Sequence, residues 1–271
     1  MRGIEVVVVD VTDDAALRRW YAAHAEAVRA DLDNPIVRTW HHIRESLRHP
    51  WDYYRRTLLS AVLEDPAAGR LVVGTAEVGR DVADNDHLAD VTIAVRPAYR
   101  RRGIGTALYK AVVRHGLAEG LTTLLGEAYD TAEWRGAVDF ADALGFRSVH
   151  VERHLRLTLP VPADQLAALR RAAGPDTDYR ILTWADGCPD ELVEEFARLQ
   201  TQMLADVPLG EVDYDPPVVD VARVRTHEAH AARTHHELVA VAQRLSDGHL
   251  AGYSTSTWTG STRRSCRTTP W

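Results

Sequence analysis

The chain has 271 residues, 45% hydrophobic and 26% charged, with a formal net charge of −7, an ordinary globular composition with room for one or two domains. The acidic balance argues against bulk nucleic-acid binding, which needs a basic face to neutralise phosphates. The two cysteines, Cys188 and Cys266, are too far apart for a Cys-x-x-Cys pair, and no run approaches the ~20 apolar residues of a membrane span; the expectation is a cytoplasmic protein with no zinc site and no disulfide framework.

Val6 to Val11 reads as a first strand, β-branched and interrupted by Asp10. Thr12, with Asp13 and Asp14, is placed to cap a helix whose apolar face is Leu17, Trp20, Tyr21, Val28 and Leu32. A second helix is expected over Val37 to Leu47. Leu58 to Leu63 and Arg70 to Val78 look like paired strands joined across Pro66-Ala67-Ala68-Gly69. An acidic loop, Asp81 to Asp90, leads to a strand, Val91 to Val95, closed by Pro97. Then come Arg100-Arg101-Arg102-Gly103-Ile104-Gly105 and a helix to Ala118, with Ile104, Leu108 and Val112 on one face and Gly120 as its stop. Leu121 to Ala128 reads as a strand, Ala132 to Leu144 as a helix ending at Gly145, and Val149 to Leu159 as the last strand or strands. Pro160 to Asp178 reads as a linker with a short helical piece. Beyond it the pattern restarts: a strand at Tyr179 to Trp184, a helix with Leu192, Phe196, Leu199 and Met203 on one face, a helix at Arg223 to Arg233, and strands at Leu238 to Gln243 and Leu250 to Thr255.

Strand, basic glycine turn and helix start together build an anion cradle. The first helical N–H groups have no partner within the helix, and the helix dipole favours negative charge there. Glycine lets backbone approach a phosphate, and arginine forks bind its oxygens. The string is not a P-loop, because no Gly-x-x-x-x-Gly-Lys-Ser/Thr occurs. It is not a dinucleotide fingerprint either, because Leu108 stands where the third glycine belongs.

What remains is Arg/Gln-x-x-Gly-x-Gly/Ala after a strand and a proline. On Val95, Pro97, Tyr99, Arg100, Gly103, Gly105 and Ala107, with Leu144-Gly145-Phe146 further on, the chain resembles the GNAT superfamily of acyl-CoA-dependent N-acetyltransferases. The resemblance covers about residues 1–160. It implies an α/β (α+β) GNAT fold whose mixed, mostly antiparallel sheet splays between its fourth and fifth strands. Acetyl-CoA is implied as co-substrate, with no metal. Backbone groups of Ile93, Ala94 and Val95 would pair with the pantetheine arm. Arg100, Arg101, Arg102, Gly103, Ile104, Gly105 and Thr106 would hold the pyrophosphate. The expected reaction is direct attack of a primary amine, on a small molecule or peptide, on the thioester. A general base is needed to deprotonate that amine, and Asp90 and Glu127, at the two strand ends, are the candidates. Many members of the superfamily place a tyrosine four residues before the glycine of Leu-Gly-Phe, as acid for the departing thiolate. Here Ala141 stands there, and an asparagine common in that helix is replaced by Trp134; Tyr129 is the candidate substitute. The acceptor wall would draw on Trp20, Tyr21, Trp40, Trp51, Tyr53 and Tyr54, with Asp31, Asp33, Glu45 and Asp52, and on the loop residues Asp81, Asp84, Asp86 and His87. Acid plus aromatic suits a cationic amine.

First-to-third strand spacing is about 70 residues in both halves, Ile4 to Val73 and Ile181 to Ala251. This looks like the tandem arrangement of mycothiol synthase-like proteins. The expected division is a GNAT domain at 1–160, a linker at 161–178 and an incomplete GNAT-like repeat at 179–271. That repeat lacks the cradle, and its tail from Ser254 has no apolar period. His227 and His230 share a helix face that could grip a metal, though a solvated polar helix is the plainer reading. Alternatives to amine acetylation are a non-catalytic acetyl-CoA-binding or partner-binding module, and mycothiol synthase-like acetylation of a thiol cofactor. No nucleic acid or membrane partner is expected, and the chain would be a monomer or homodimer.

Overall fold

A computed structural model describes residues 3–31, 37–65, 69–131, 135–153, 155, 157–158, 160–173, 178–207, 210–259 and 267–269. The chain divides into two compact units, Met1–Arg147 and Ser148–Trp271.

In the first unit β1 (Glu5–Val8) leads to α1 (Asp14–Asp31). The cap of α1 is Asp13 rather than Thr12: the Asp13 carboxylate accepts from the amides of Ala15 and Ala16 at 2.8 and 3.2 Å, while the Thr12 hydroxyl is drawn back to Asp10. Helix α2 (Trp40–Arg48) starts later than Val37 because the Thr39 side chain caps it, accepting from the His42 amide. The hairpin of β2 (Tyr54–Asp65) and β3 (Gly69–Asp81) outruns the expected strands at both ends. The apolar runs mark only its core-facing part, and polar residues continue the ladder. Strand β4 (Leu88–Val95), a 3₁₀ turn at Pro97–Tyr99, α3 (Ile104–Ala118), β5 (Thr123–Leu125) and α4 (Gly136–Ala143) complete the unit.

The sheet order is β1-β2-β3-β4-β5, antiparallel except for the parallel pair β4–β5. One face buries Leu59, Val73, Ala76, Ala89 and Val91 against Ile104, Leu108 and Val112 of α3. The other face carries α1 and α2, with Leu17, Trp20, Ile43 and Leu47 against Leu58, which makes three layers around the sheet. The Trp20 indole N–H donates to the Leu59 carbonyl at 3.1 Å, so this fully buried ring leaves no polar atom unsatisfied. Where α3 crosses β3, a Cβ on Gly74 would lie 2.8 Å from Ile104 Cγ2; only glycine admits that approach.

Strand β5 pairs with β4 only through Leu88–Thr123, Ala89–Leu124 and Asp90–Leu125. The expected strand over Leu121 to Ala128 is thus cut to three residues. Beyond Asp90 the two strands part, and among the described residues the β5-side edge of Val91–Val95 carries no strand. The expected strand over Val149 to Leu159 does not form among the described residues. Val151 and Leu155 are 84% and 83% exposed: alternating apolar residues make a strand only where an edge offers partners, and β5 offers little.

The second unit contains α5 (Ala163–Ala173), β6 (Tyr179–Ala185), α6 (Val193–Asp206), α7 (Val221–Ala231), β7 (His236–Arg244), β8 (Leu250–Trp258) and β9 (Arg267–Thr269). Its antiparallel sheet runs β6-β7-β8-β9. The tail from Ser254, which has no apolar period, nonetheless continues β8 beyond the expected Thr255 to Trp258 and supplies β9. Trp184, Phe196, Val224, Val239, Val241 and Leu250 form the core. The order β1-α1-α2-β2-β3 recurs as β6-α6-α7-β7-β8. Each third strand also carries a bulge at the same place: the register skips Val73 between Val72 and Gly74, and Ala251 between Leu250 and Gly252. These are the two residues that the spacing of the sequence sets in correspondence.

Candidate functional site

The turn between β4 and α3 is built as an anion nest. Arg101 and Gly103 both have left-handed backbone, with φ of 60° and 81°, so successive amides converge instead of alternating. For Arg101, a non-glycine, this strain costs on the order of 1–3 kcal/mol. Among the described residues no backbone carbonyl accepts from the amides of Arg101, Arg102 or Gly103, and Ile104, Gly105 and Thr106 are the first turn of α3. A Cβ on Gly103 would meet nothing within 4 Å. The Arg102 guanidinium lies 5.5 Å over the Tyr99 ring.

Arg100 departs from expectation. Its amide donates to the Pro97 carbonyl at 3.2 Å. Its guanidinium donates to the Val95 carbonyl at 2.9 Å and forms a two-pronged pair with Asp31 at 2.6 and 3.0 Å. Both groups are committed inside the protein. Asp31, expected on the acceptor wall, is taken by the same pair.

Ile93, Ala94 and Val95 lie half-buried along the β4 edge that β5 leaves. At the start of that gap the sheet face under α1 and α2 carries the polar residues of the site. Asp90 pairs in register with Gly79, and Thr92 with Glu77. The Tyr54 hydroxyl occupies the space a Cβ on Gly79 would need; burial, then the charges of Asp90 and Glu77, push its pKa to about 12. Asp90 is solvent-accessible yet ringed by protein. Burial raises its carboxyl above the ordinary value, and the charges of Glu127 and Glu77 add to that. Glu127 is therefore within electrostatic reach of Asp90, on the exposed segment after β5. Tyr129, 42% exposed, follows on the same segment.

Three participants escaped the sequence reading. Arg56 pairs with Glu77 at 2.6 Å and donates to Ser46 Oγ at 2.9 Å. Its Nη2 is buried without a hydrogen-bond partner among the described residues. Burial would raise Glu77, but Arg56 outweighs it and the carboxyl stays low. His24 stacks on Trp20 at 4.9 Å, and burial lowers its pKa. The signal was available: Tyr54 and Arg56 continue the alternation of Leu58, and charged residues on the inward phase of a strand mark a site.

The rest of the expected wall is largely committed. Glu45 pairs with Arg44 at 2.9 Å, Arg18 lies over the Trp40 ring at 4.4 Å, and the Asp81 carboxylate accepts from the amides of Ala83 and Asp84. The Trp51 and Tyr53 rings pack against each other, 5.2 Å apart and tilted by 52°. Asp33 and Trp134 lie outside the described residues.

In the second unit His227 is directed at Glu237, not at His230. The Nε2 atoms of His227 and His235 lie 3.4 and 3.2 Å from the Glu237 carboxylate. Among the described residues no group of three or more His, Cys, Asp or Glu is arranged to hold a metal ion, and no helix is long and apolar enough to cross a membrane. Burial raises the Glu237 carboxyl, but hydrogen bonds to His227 and His235 outweigh it and bring its pKa to about 2. The bond to Glu237 raises His227, against burial. The carboxylate stabilises the fold above its unfolded value of 4.5 and loses this as pH falls toward 2. The imidazolium stabilises below its unfolded value of 6.5 and loses this as pH rises through its raised folded value. Scanning calorimetry of the full chain should find a transition most stable between those two unfolded values. In Glu237→Gln that pH dependence should flatten; an unchanged profile would refute the pairing.

Residues 16–146 match the model of the acetyltransferase (GNAT) family. A tandem GNAT protein from the clavulanic acid biosynthesis pathway, solved without acetyl-CoA, aligns at 23% identity and a TM-score of 0.66, over 95% of this chain and 75% of its own. AAC(6')-Iy, in complex with a CoA-S-monomethyl-acetylneamine bisubstrate analogue, aligns at 17% identity and a TM-score of 0.42, over 58% of this chain and 99% of its own. An aminoglycoside acetyltransferase from an uncultured soil metagenomic sample, in complex with sisomicin, gives 21% identity and a TM-score of 0.42, over 58% and 96%. A search of curated proteins found no match.

Proposed function

Because residues 16–146 form an acetyltransferase domain of the GNAT family, we propose that the first unit transfers the acetyl group of acetyl-CoA to a primary amine of a small molecule or peptide. The observation that carries this reading is the nest of six amides at Arg101–Thr106, set beside a β4 edge along which, among the described residues, no strand pairs beyond Asp90. A diphosphate sits in the nest under Arg101 and Arg102. The pantetheine arm pairs with the backbone of Ile93, Ala94 and Val95, in the place a fifth strand would otherwise take. A β4 amide polarises the thioester carbonyl as an oxyanion donor.

The amine binds on the side of Tyr54, Glu77 and Asp90. Three carboxylates near one reacting point, counting Glu127, favour a cationic acceptor, and the unpartnered Nη2 of Arg56 favours one with an oxygen near its amine. Asp90 is the general base: accessible, and raised toward the working pH by its surroundings. It takes a proton from the ammonium, directly or through water. The free amine attacks the carbonyl carbon, a C–N bond forms, and collapse of the tetrahedral adduct breaks the C–S bond as the nitrogen gives up its second proton to water or to the departing sulfur. The thiolate leaves as such or takes a proton from Tyr129; with a thiol pKa of ~8.5 it departs without an obligatory acid, which accommodates Ala141. The second unit, in which no such nest is described, takes no part in acetyl-CoA binding.

Thiol release from acetyl-CoA over a panel of polyamines, aminosugars and peptides tests the reading. Acceptor-dependent release is expected. Tight acetyl-CoA binding with no turnover on any amine would instead favour a binding module, the alternative to which Ala141 lends weight.

A further inference from the structure

Two arginines of the β4–α3 turn reach away from the nest and hold the last turns of α1. Arg96 pairs with Glu26 at 2.8 Å. Arg100 pairs with Asp31 through both terminal nitrogens, and its Nη2 also donates to the Ala27 carbonyl at 3.4 Å. That carbonyl lies near the C-terminal end of α1, where the helix dipole favours a cation. The Arg100 Nε–H is fixed on the Val95 carbonyl. A guanidinium held at three points cannot swing into the nest. A planar fork on a carboxylate also resists shear better than a point charge.

The held helix has business at the other site. Two turns before Asp31, about 10 Å along the axis, His24 feels the charge of Glu77 on the acceptor face and stacks on Trp20. Trp20 in turn is pinned to the Leu59 carbonyl of β2. One segment thus joins the residue that immediately precedes the anion nest to the cluster of Arg56, Glu77 and Asp90.

We propose that Arg100 is a positioning residue and not a phosphate ligand: its pair with Asp31 straps the acyl-CoA nest to α1, so that filling the nest also fixes α1 over the acceptor cluster. The three adjacent arginines then divide their work. Arg101 and Arg102 face the anion, and Arg100 reports its arrival to the amine side. This rests on the acyl-CoA reading of the nest.

Hydrogen exchange of the full chain, with and without desulfo-CoA as an unreactive probe, tests it. In the native protein the probe should slow exchange both at 101–106 and at 24–31. In Asp31→Asn, which keeps every arginine, protection at 101–106 should persist, with affinity lowered no more than about tenfold, while the probe's effect at 24–31 should fall by about fivefold or more. The exchanged pair Arg100→Asp/Asp31→Arg should restore the protection at 24–31 if the strap is what matters. Unaltered protection at 24–31 in Asp31→Asn would overturn the proposal. So would normal behaviour of Asp31→Asn beside complete loss of probe binding in Arg100→Gln, because Arg100 would then be a ligand. If the native chain does not bind the probe at all, the acyl-CoA reading fails first; binding without protection at 24–31 sinks the strap alone.

Discussion

Replacing Gly103 by valine and Arg102 by alanine together should abolish acetyl-CoA binding measurable by titration calorimetry, a loss of more than about a hundredfold. Gly103 has a φ of 81°, where a side chain costs roughly 1–2 kcal/mol, and a β-branched one more. The loop would relieve that strain by turning its amides out of the nest. Removing a guanidinium that makes a charge-assisted hydrogen bond costs a further ~1.5–3 kcal/mol. Since 1.4 kcal/mol is tenfold in affinity, the two changes exceed the window of the measurement. A Cβ at 103 meets no neighbour within 4 Å, so the fold should survive, and the melting temperature reads that separately. Undiminished binding would remove the nest from the mechanism.

Asp90→Asn should lower kcat by about 10²–10⁴-fold, the range a positioned general base contributes, and leave the acetyl-CoA dissociation constant near its native value. The same change should raise the melting temperature near neutral pH. Burial, Glu127 and Glu77 all oppose the ionised form of Asp90, so its charge opposes folding once pH exceeds the unfolded pKa. A variant that is more stable and less active distinguishes a base held in an unfavourable setting from an ordinary strand-end carboxylate. In the native enzyme kcat/KM for the amine should fall as pH drops through the raised pKa of Asp90. Loss of that acid limb in Asp90→Asn, with residual activity, completes the assignment. Full activity in the variant would move the role elsewhere, with Glu127 next in line.

The parts legible in the sequence are those set by local chemistry. The nest announced itself because a glycine turn before a helix has few other uses, and the apolar runs within Leu58 to Leu63 and Arg70 to Val78 marked the central strands. The repeat was legible through spacing alone, since the bulges at Val73 and Ala251 hold each third strand in the same register. What escaped depended on tertiary partners. Arg100 looks like its neighbours until Asp31 is seen beside it, 69 residues away in sequence. Arg56 and Glu77 meet only because β2 and β3 pair as they do, and strand periodicity does not show which charge sits opposite which. The strand expected at Val149 to Leu159 is absent among the described residues for the converse reason: its pattern was present, but a strand is made by its neighbour.

Gly74 shows how far control of a ligand can lie from the ligand. The helix that opens the nest rests on β3 through a point where not even a methyl group fits, with Ile104 itself, the first residue of α3, as the obstructing side chain. Any enlargement at position 74 would tip that helix and re-aim its free amides without altering a single atom that meets the diphosphate. Affinity for the anion is thus partly encoded in a silent pivot, and a mutational screen ranking positions by distance from the bound molecule would overlook it.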